Sequence, residues 1–565
     1  MRWTLKPTPN TEKVNHLMQA LNVDRLIATL LIQRGIDTFE KARDFFRPNL
    51  NHLHDPYLMK DMDRAVPRIL EAIKKQERIM VFGDYDVDGT TSVALMSSFL
   101  QNHSQQICTY IPDRYKEGYG ISYQGIDFAD DNGITLIIAL DCGIKSIEHI
   151  NYAKSKGIDF IICDHHRPGE YIPDAVAVLD PKRDDCNYPY KELCGCGVGF
   201  KLIQALAPHF DLTINDLLPY MDLVATAIGA DIVPITGENR VLAYYGMQII
   251  NTNPRPGIKA ILKGQKTNYT ITDIVFTVAP RINAAGRMKH GIYAVELLTK
   301  FDELDAEIAA NEIDQYNQQR RNKDQSITKE ALHQIIENNE EHKFSTVVYH
   351  ESWHKGVIGI VASRLIETYY RPTLVFTKSG DKLAASARSV KNFDVYNALE
   401  ACSEHIIQFG GHMYAAGLTI AEDKYLDFKS AFEKVVQQTM QEEWREQEIE
   451  IDAVIDIDEI SDKTYRILKQ FEPFGPENMH PLFLSKNVFL DSEAKTIGKT
   501  KEHITAVVTQ SGHKKYKAIG FNLAQKIAIL NSKQPFDAVY SLEENEFKGH
   551  VSLQLRLRDI KTSTN

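Results

Sequence analysis

Three carboxylates crowd one short segment, Gly83-Asp84-Tyr85-Asp86-Val87-Asp88-Gly89. Two later apolar runs end in the same kind of chemistry. Leu136-Ile137-Ile138-Ala139-Leu140 leads straight into Asp141, and Phe160-Ile161-Ile162-Cys163 into Asp164-His165-His166. Like carboxylates repel by roughly 4 kcal/mol per pair at 4 Å and intermediate dielectric. A crevice collecting this many acids therefore calls for divalent cations. Oxygen ligands with some imidazole suit Mn²⁺ or Mg²⁺ better than thiolate-preferring metals. Two such ions about 4 Å apart would clamp a phosphodiester and activate an attacking water.

Those groups meet only if the chain folds so as to bring them together. Arg78–Phe82 reads as a strand leading into the acidic loop, and Ser92–Leu100 as a helix after it. With 136–140, 160–163 and Ala175–Leu179, the continuous apolar runs alternate with helical stretches, the pattern of a parallel sheet covered on both faces. Open parallel sheets bind ligands beyond the carboxyl ends of their strands, which is where the acids fall. A lone Asp after a strand is ordinarily a turn or cap residue. Asp180-Pro181 reads that way, and Asp127, Asp130 and Asp131 read as solvated surface; the coincidence of three acidic strand ends does not. Gly89-Thr90-Thr91-Ser92 opens a helix but lacks the Lys of a phosphate-binding Walker loop.

Farther on, the stretch from about 300 to 340 predicts a long connecting helix, broken at most once, with Leu304, Ile308, Ile313 and Tyr316 on one face and Ile327, Leu332 and Ile335 continuing it. A second α/β unit follows, with strands at 346–349 and 373–376 and a helix over 358–370. The last stretch carries antiparallel strand signals at 453–457, 503–508, 515–521 and 551–557, spaced as in a small barrel.

The length, 565 residues, implies three or four domains. The apolar 43% and charged 25% are those of a globular chain, and no run has the length or apolarity of a membrane span. The N-terminus lacks the apolar centre of a signal peptide. Seven scattered cysteines fit a reducing cytoplasm, and Cys186, Cys194 and Cys196 form no CxxC zinc pair. A net charge of −11 excludes a uniformly basic DNA coat but leaves room for a local basic groove.

GDYDVDGTTS with the later DHH resembles the RecJ family of the DHH phosphoesterase superfamily. The resemblance continues through Ile228–Pro234, Ala279-Pro280-Arg281-Ile282-Asn283-Ala284-Ala285-Gly286-Arg287-Met288 and the glycine-rich Gly410-Gly411-His412-Met413-Tyr414-Ala415-Ala416-Gly417. It implies an α/β fold: an N-terminal lead-in (1–60), a parallel-sheet DHH catalytic core (61–300), a connecting helix (301–342), a second α/β DHH-associated domain (343–445) and a C-terminal OB-like β-barrel (446–565). Asp86, Asp88, Asp141, His165 and Asp231 are the implied ligands of two Mn²⁺ or Mg²⁺ ions. Asp84 is a ligand or a partner of one, Asp141 the bridge, and His166 the residue that touches the scissile phosphate. Some relatives carry His where Phe82 stands, which opens the ligand count of one ion.

Arg114, Arg281, Arg287, Ser386, Arg388, Gly410, Gly411 and His412 are the implied nucleic-acid contacts. In the barrel, Lys499, Lys501, Lys514, Lys515, Lys517, Arg556 and Arg558 supply charge, and Tyr516, Phe521 and Phe547 are candidates to stack bases. The implied activity is metal-dependent 5′→3′ exonucleolytic hydrolysis of single-stranded DNA to 5′-mononucleotides, in recombination and repair. Implied with it are a cytoplasmic monomer, no membrane, and a single-strand-binding protein and a helicase as partners. Core, second domain and barrel would form a ring that admits a single strand. Two alternatives stand beside it: an oligoribonuclease or cyclic-dinucleotide phosphodiesterase of the same superfamily, and a non-catalytic replication scaffold. The barrel favours a long polynucleotide, and the full ligand set disfavours a scaffold.

Overall fold

The structure, a computed structural model, describes residues 1–547 and 550–563. They fall into two compact units, one holding 55–231 and 245–447 with Met1, the other 2–54, 232–244 and 448–565.

The first unit opens on a five-stranded sheet. Its strands are β1 (Arg78–Gly83), β2 (Ile107–Tyr110), β3 (Ile134–Leu140), β4 (Asp159–Cys163) and β5 (Ala177–Leu179), with helix α1 (Val87–Gln101) after β1. All neighbours are parallel, in the order β2-β1-β3-β4-β5. The sheet order therefore reverses between β1 and β3, and chain leaving these two strands diverges to open a crevice. Ile79–Phe82 and Leu136–Leu140 are buried on both faces, as their unbroken apolar sequence requires. Phe82 stacks on Tyr110 with ring centroids 5.4 Å apart, so no imidazole stands at that position. The strand expected from Ala175 begins at Ala177.

Helices α2 (Gly195–Leu206), α3 (Met221–Ala230) and α4 (Ala279–Met288) follow, then α5 (Glu303–Glu337), a single unbroken helix of 35 residues. Its buried face includes the expected Ile313, Ile327 and Ile335 but not Leu304 and Ile308. Ala306, Ala310, Ile313, Asn317, Arg320, Asp324, Ile327, Ala331 and Ile335 face inward, while Leu304 and Ile308 are 65% and 62% exposed. Small residues let the helix axis approach its neighbours closely, so the larger side chains are displaced to the outer face. The buried polar residues pair with one another. Arg320 donates to Asp324 (2.8 Å) and Asn317 (2.6 Å), and Asp324 also pairs with Arg364 at 2.8 Å.

Arg364 belongs to α6 (Ile358–Thr368), which follows β6 (Thr346–Tyr349). With β7 (Thr373–Ser379), β8 (Lys382–Arg388), β9 (Gln408–His412) and β10 (Ala415–Ala421), β6 makes a second sheet in the order β9-β10-β8-β7-β6. Only β6 and β7 run parallel.

In the other unit, seven strands run in the order β11 (Ala453–Val454), β12 (Phe483–Leu490), β16 (Phe536–Phe547), β17 (His550–Thr562), β15 (Tyr516–Gly520), β14 (His503–Thr509) and β13 (Lys495–Ile497). A further pairing of β12 with β14 closes the sheet on itself. The strand expected over 453–457 ends at Val454, and Ile457–Glu459 forms a helical turn. Residues 2–5 pair in parallel with 448–451, and Val14, Leu17, Ile27, Leu30 and Leu31 share one core with Phe471, Phe483, Tyr540 and Leu555. Arg240 sits in this unit with its guanidinium 3.8 Å over the Phe45 ring and donates to the carbonyls of Phe45 and Phe471, both at 2.9 Å. No helix among the described residues is long and apolar enough to cross a membrane.

Candidate active site

The crevice between β1 and β3 gathers the acids. His165 stands at the centre, its Nε2 3.1 Å from Asp141 Oδ1 and 3.7 Å from both Asp88 Oδ2 and Asp231 Oδ2. Asp88, His165 and Asp231 offer one group of metal-ligating atoms, and Asp141, His165 and His166 a second. Asp141 and His165 thus belong to one contiguous constellation, with Asp141 directly after β3. Asp141 adopts φ 60°, a strained conformation for a residue with a side chain, of the kind concentrated at functional sites.

The electrostatics are those of a buried acidic nest. Burial first, then Asp88 and Asp86, pushes the Asp141 carboxyl well above its usual range. Burial and Asp86 raise Asp88 to about 7, and burial and Asp88 raise Asp231 to about 8. Asp84 is 1% exposed and neither of its carboxylate oxygens has a hydrogen-bond partner. Such groups are costly to leave unpaired. The donor set, oxygens plus a neutral imidazole, fits hard divalent cations, as do the unpaired Asp84 oxygens. His165 is suited to its place, because burial and the neighbouring His166 charge hold it down to about 3, leaving it neutral. Asp86 caps α1, accepting from the Gly89 amide at 3.1 Å. Asp84 and Asp86 fall outside these two groups of close ligand atoms, and their charges help raise Asp141.

His166 has a different role from His165. Its Nδ1 bonds Asp164 at 2.7 Å. Burial opposes its charge, but the Asp164 bond prevails and raises it to about 9, so it is an imidazolium at neutral pH. Asp164 is held at about 2 against its burial by His166, and it also accepts the amides of Ile144, His165 and His166. Asp164 is therefore a scaffold for the two histidines, a role its strand-end position alone did not distinguish from ligation. Tyr119 was not expected here. Its hydroxyl is 3.2 Å from His166 Nε2, and flanking Gly118 and Gly120 both have positive φ.

Beside this nest lies a cationic cluster. Arg287 is half-buried with its Nε shielded and unpartnered, and burial with Arg114, Arg320 and Arg388 lowers it to about 10. Arg114 packs 4.4 Å from the Tyr85 ring centre, and Tyr115 donates to the Arg287 carbonyl at 2.5 Å. Arg388 donates to Ser386 Oγ at 3.1 Å, and a Cβ on Gly359, in the first turn of α6, would stand 2.8 Å from that oxygen. Arg320 and Gly359 escape sequence reading because nothing in their spacing links them to the arginines at 287 and 388. Arg281 is placed apart. Its guanidinium donates to Asp314 (2.6 Å) and the Thr277 carbonyl (2.7 Å), tying α4 to α5. Gly410, Gly411 and His412 lie exposed on β9, the sheet edge, and Gly411 is required there because a Cβ would stand 2.3 Å from the Ala415 carbonyl oxygen.

In the barrel, Phe521 is 45% exposed, with the Arg556 guanidinium 5.1 Å from its ring centre and the His503 ring 5.0 Å away. Tyr516 instead donates to the Ile460 carbonyl at 3.1 Å. The side chain of Phe547 lies outside the described residues.

This arrangement has known counterparts. Family models match along the chain: the DHH family N-terminal domain over 78–228, the DHHA1 domain over 342–438 and the RecJ OB domain over 451–559. The single-stranded-DNA-specific exonuclease RecJ of Bacillus subtilis is 36% identical over 100% of this chain and 71% of its own length. The chain belongs to the RecJ family. The Escherichia coli RecJ of the same description is 33% identical over 89% of this chain and 90% of its own. Among solved structures, Thermus thermophilus RecJ in complex with Mn²⁺ superposes with a TM-score of 0.84 at 25% identity, covering 100% of this chain and 80% of that one. A Mg²⁺ complex of the same RecJ shares the fold, with a TM-score of 0.79. Cys186, Cys194 and Cys196 are free and buried in this RecJ-family fold, and neither group of candidate ligands among the described residues includes a cysteine.

Proposed function

We propose that this protein is a single-stranded-DNA-specific 5′→3′ exonuclease, dependent on Mn²⁺ or Mg²⁺, that releases 5′-mononucleotides. The observation that carries the reading is the convergence of Asp88, Asp141, His165 and Asp231 within reach of one another, in a chain similar end to end to exonucleases of that description. When bound, divalent cations supply neutralising charge and an activated water at the phosphodiester.

The chain's own residues do the rest. Asp88, Asp141, His165 and Asp231 hold the cations, with Asp84 and Asp86 beside them. His166, positively charged on Asp164, offers Nε2–H to a non-bridging phosphate oxygen and stabilises charge growing there. Tyr119 Oη lies 3.2 Å from that nitrogen. The half-buried Arg287 with Arg388, Ser386 and Arg114 receives the 5′-terminal phosphate, where guanidinium forks match phosphate geometry. That end stop sets the polarity and the single-nucleotide step. Phe521 with Arg556, and the lysines of the barrel, give the trailing strand a stacking and charge platform. A cytoplasmic monomer working beside a helicase and a single-strand-binding protein in recombination and repair completes the reading.

Digestion of end-labelled oligonucleotides with Mn²⁺, Mg²⁺ or chelator tests it. A 5′-labelled single strand should give labelled mononucleotide first, a blunt duplex should resist, and chelator should abolish the cleavage of the single strand. A ladder growing from the 3′ end, or equal rates on duplex, would refute it.

A further inference from the structure

The N-terminal turn of α2 is spent on the acidic nest. A helix leaves its first amides without partners. Here the Gly195 amide donates to Asp88 Oδ2 at 2.6 Å and the Cys196 amide to Asp88 Oδ1 at 2.8 Å. The next, Gly197, is taken by Cys194 Sγ at 3.4 Å, a cysteine acting as cap. Asp88 also lies in the first turn of α1, so one carboxylate is fixed at the positive ends of two helices. Gly195 is pressed on a second acid as well. A Cβ there would stand 2.6 Å from Asp141 Cβ, 2.8 Å from its Cα and 2.9 Å from its Oδ1. Gly197 has no such constraint, since its Cβ would meet only Leu193 and Cys194 at 3.4 Å or more.

We propose that the Cys194-Gly195-Cys196-Gly197 turn is the positioning element of the metal centre: its amides aim the Asp88 carboxylate, and the missing side chain at Gly195 sets where Asp141 stands. This rests on the metal-binding reading above. The turn touches neither cation nor substrate and acts through the two carboxylates. The carboxylate oxygens each give one lone pair to an amide and keep the other for a cation. Groups that orient metal ligands in this way govern affinity by about 10- to 100-fold.

The test is Mn²⁺ binding to the full chain, read from the electron paramagnetic resonance signal of free Mn²⁺. Gly195→Ala should weaken binding at least about tenfold, and Gly197→Ala should stay within twofold of the parent. Parent-like affinity in Gly195→Ala, or an equal loss in Gly197→Ala, overturns the proposal. An independent readout holds even if Gly195→Ala does not fold. In chelator, neutralising an acid in a repelling cluster raises the thermal midpoint, and Asp231→Asn should do so. Asp88→Asn should instead lower it by a few degrees, because its amide nitrogen cannot accept from α2. A raised midpoint for Asp88→Asn overturns the clamp. If the parent chain and Asp141→Ala bind Mn²⁺ alike, the metal reading itself fails, separately from the clamp.

Discussion

At the residue scale, the two adjacent histidines divide the labour. His165 is neutral and buried among carboxylates, and His166 is charged on Asp164 and turned outward. Asp141→Ala should cut kcat by about 10³-fold or more, since several kcal/mol of cation-borne stabilisation is removed. His166→Ala should cost about 10²- to 10³-fold in kcat with KM for a long oligonucleotide little changed, as for loss of one preorganised donor. Single-turnover rates on a 5′-phosphorylated strand check both; a KM effect alone for His166→Ala would make it a binding residue. Asp86, Asp88, Asp141 and the two histidines were legible because strand ends announce themselves through apolar runs that stop at acids. Asp164's scaffold role, the Gly195 clamp and Tyr119 were not, because each depends on contacts between segments far apart in the chain.

At the element scale, α5 shows where periodicity misleads. Ile313, Ile327 and Ile335 pack as their spacing predicts, but Leu304 and Ile308, which share that spacing, do not; alanines and a hydrogen-bonded polar trio complete the buried face instead. Spacing alone does not register that small residues can form a seam. Ala310→Leu should destabilise the first unit by about 1–3 kcal/mol through overpacking. Leu304→Ser should stay within about 0.5 kcal/mol. Urea unfolding of the two variants side by side distinguishes the seam; equal costs would contradict it. In the other unit, the His480 ring lies 3.7 Å from the Phe474 ring, tilted by 33°, and burial with Arg558, Arg556 and Arg34 holds it at about 4, below its unfolded value near 6.5. Between those values the unfolded chain binds more protons, so this stabilising contribution is complete above about pH 6.5 and lost as pH falls toward 4. His480→Phe keeps a ring and should flatten that slope; urea midpoints at pH 5 and 7.5 that change as steeply as the parent's would contradict it.

At the scale of the whole molecule, the succession of parallel sheet, long helix, second α/β sheet and barrel was readable from strand signals, with ends correct to a few residues. The strand order β2-β1-β3-β4-β5 was not, yet it is what makes the crevice. Nor was the company kept by residues 2–54, because a strand pairing across 446 positions leaves no local trace. The order of the first sheet is what turns scattered acids into one centre. Crystals soaked in Mn²⁺ and measured at a wavelength giving anomalous signal examine that centre directly. The predicted result is anomalous density held by Asp141 with Asp88, His165 and Asp231. Density elsewhere in crystals of an active protein, with this nest empty, would contradict the account.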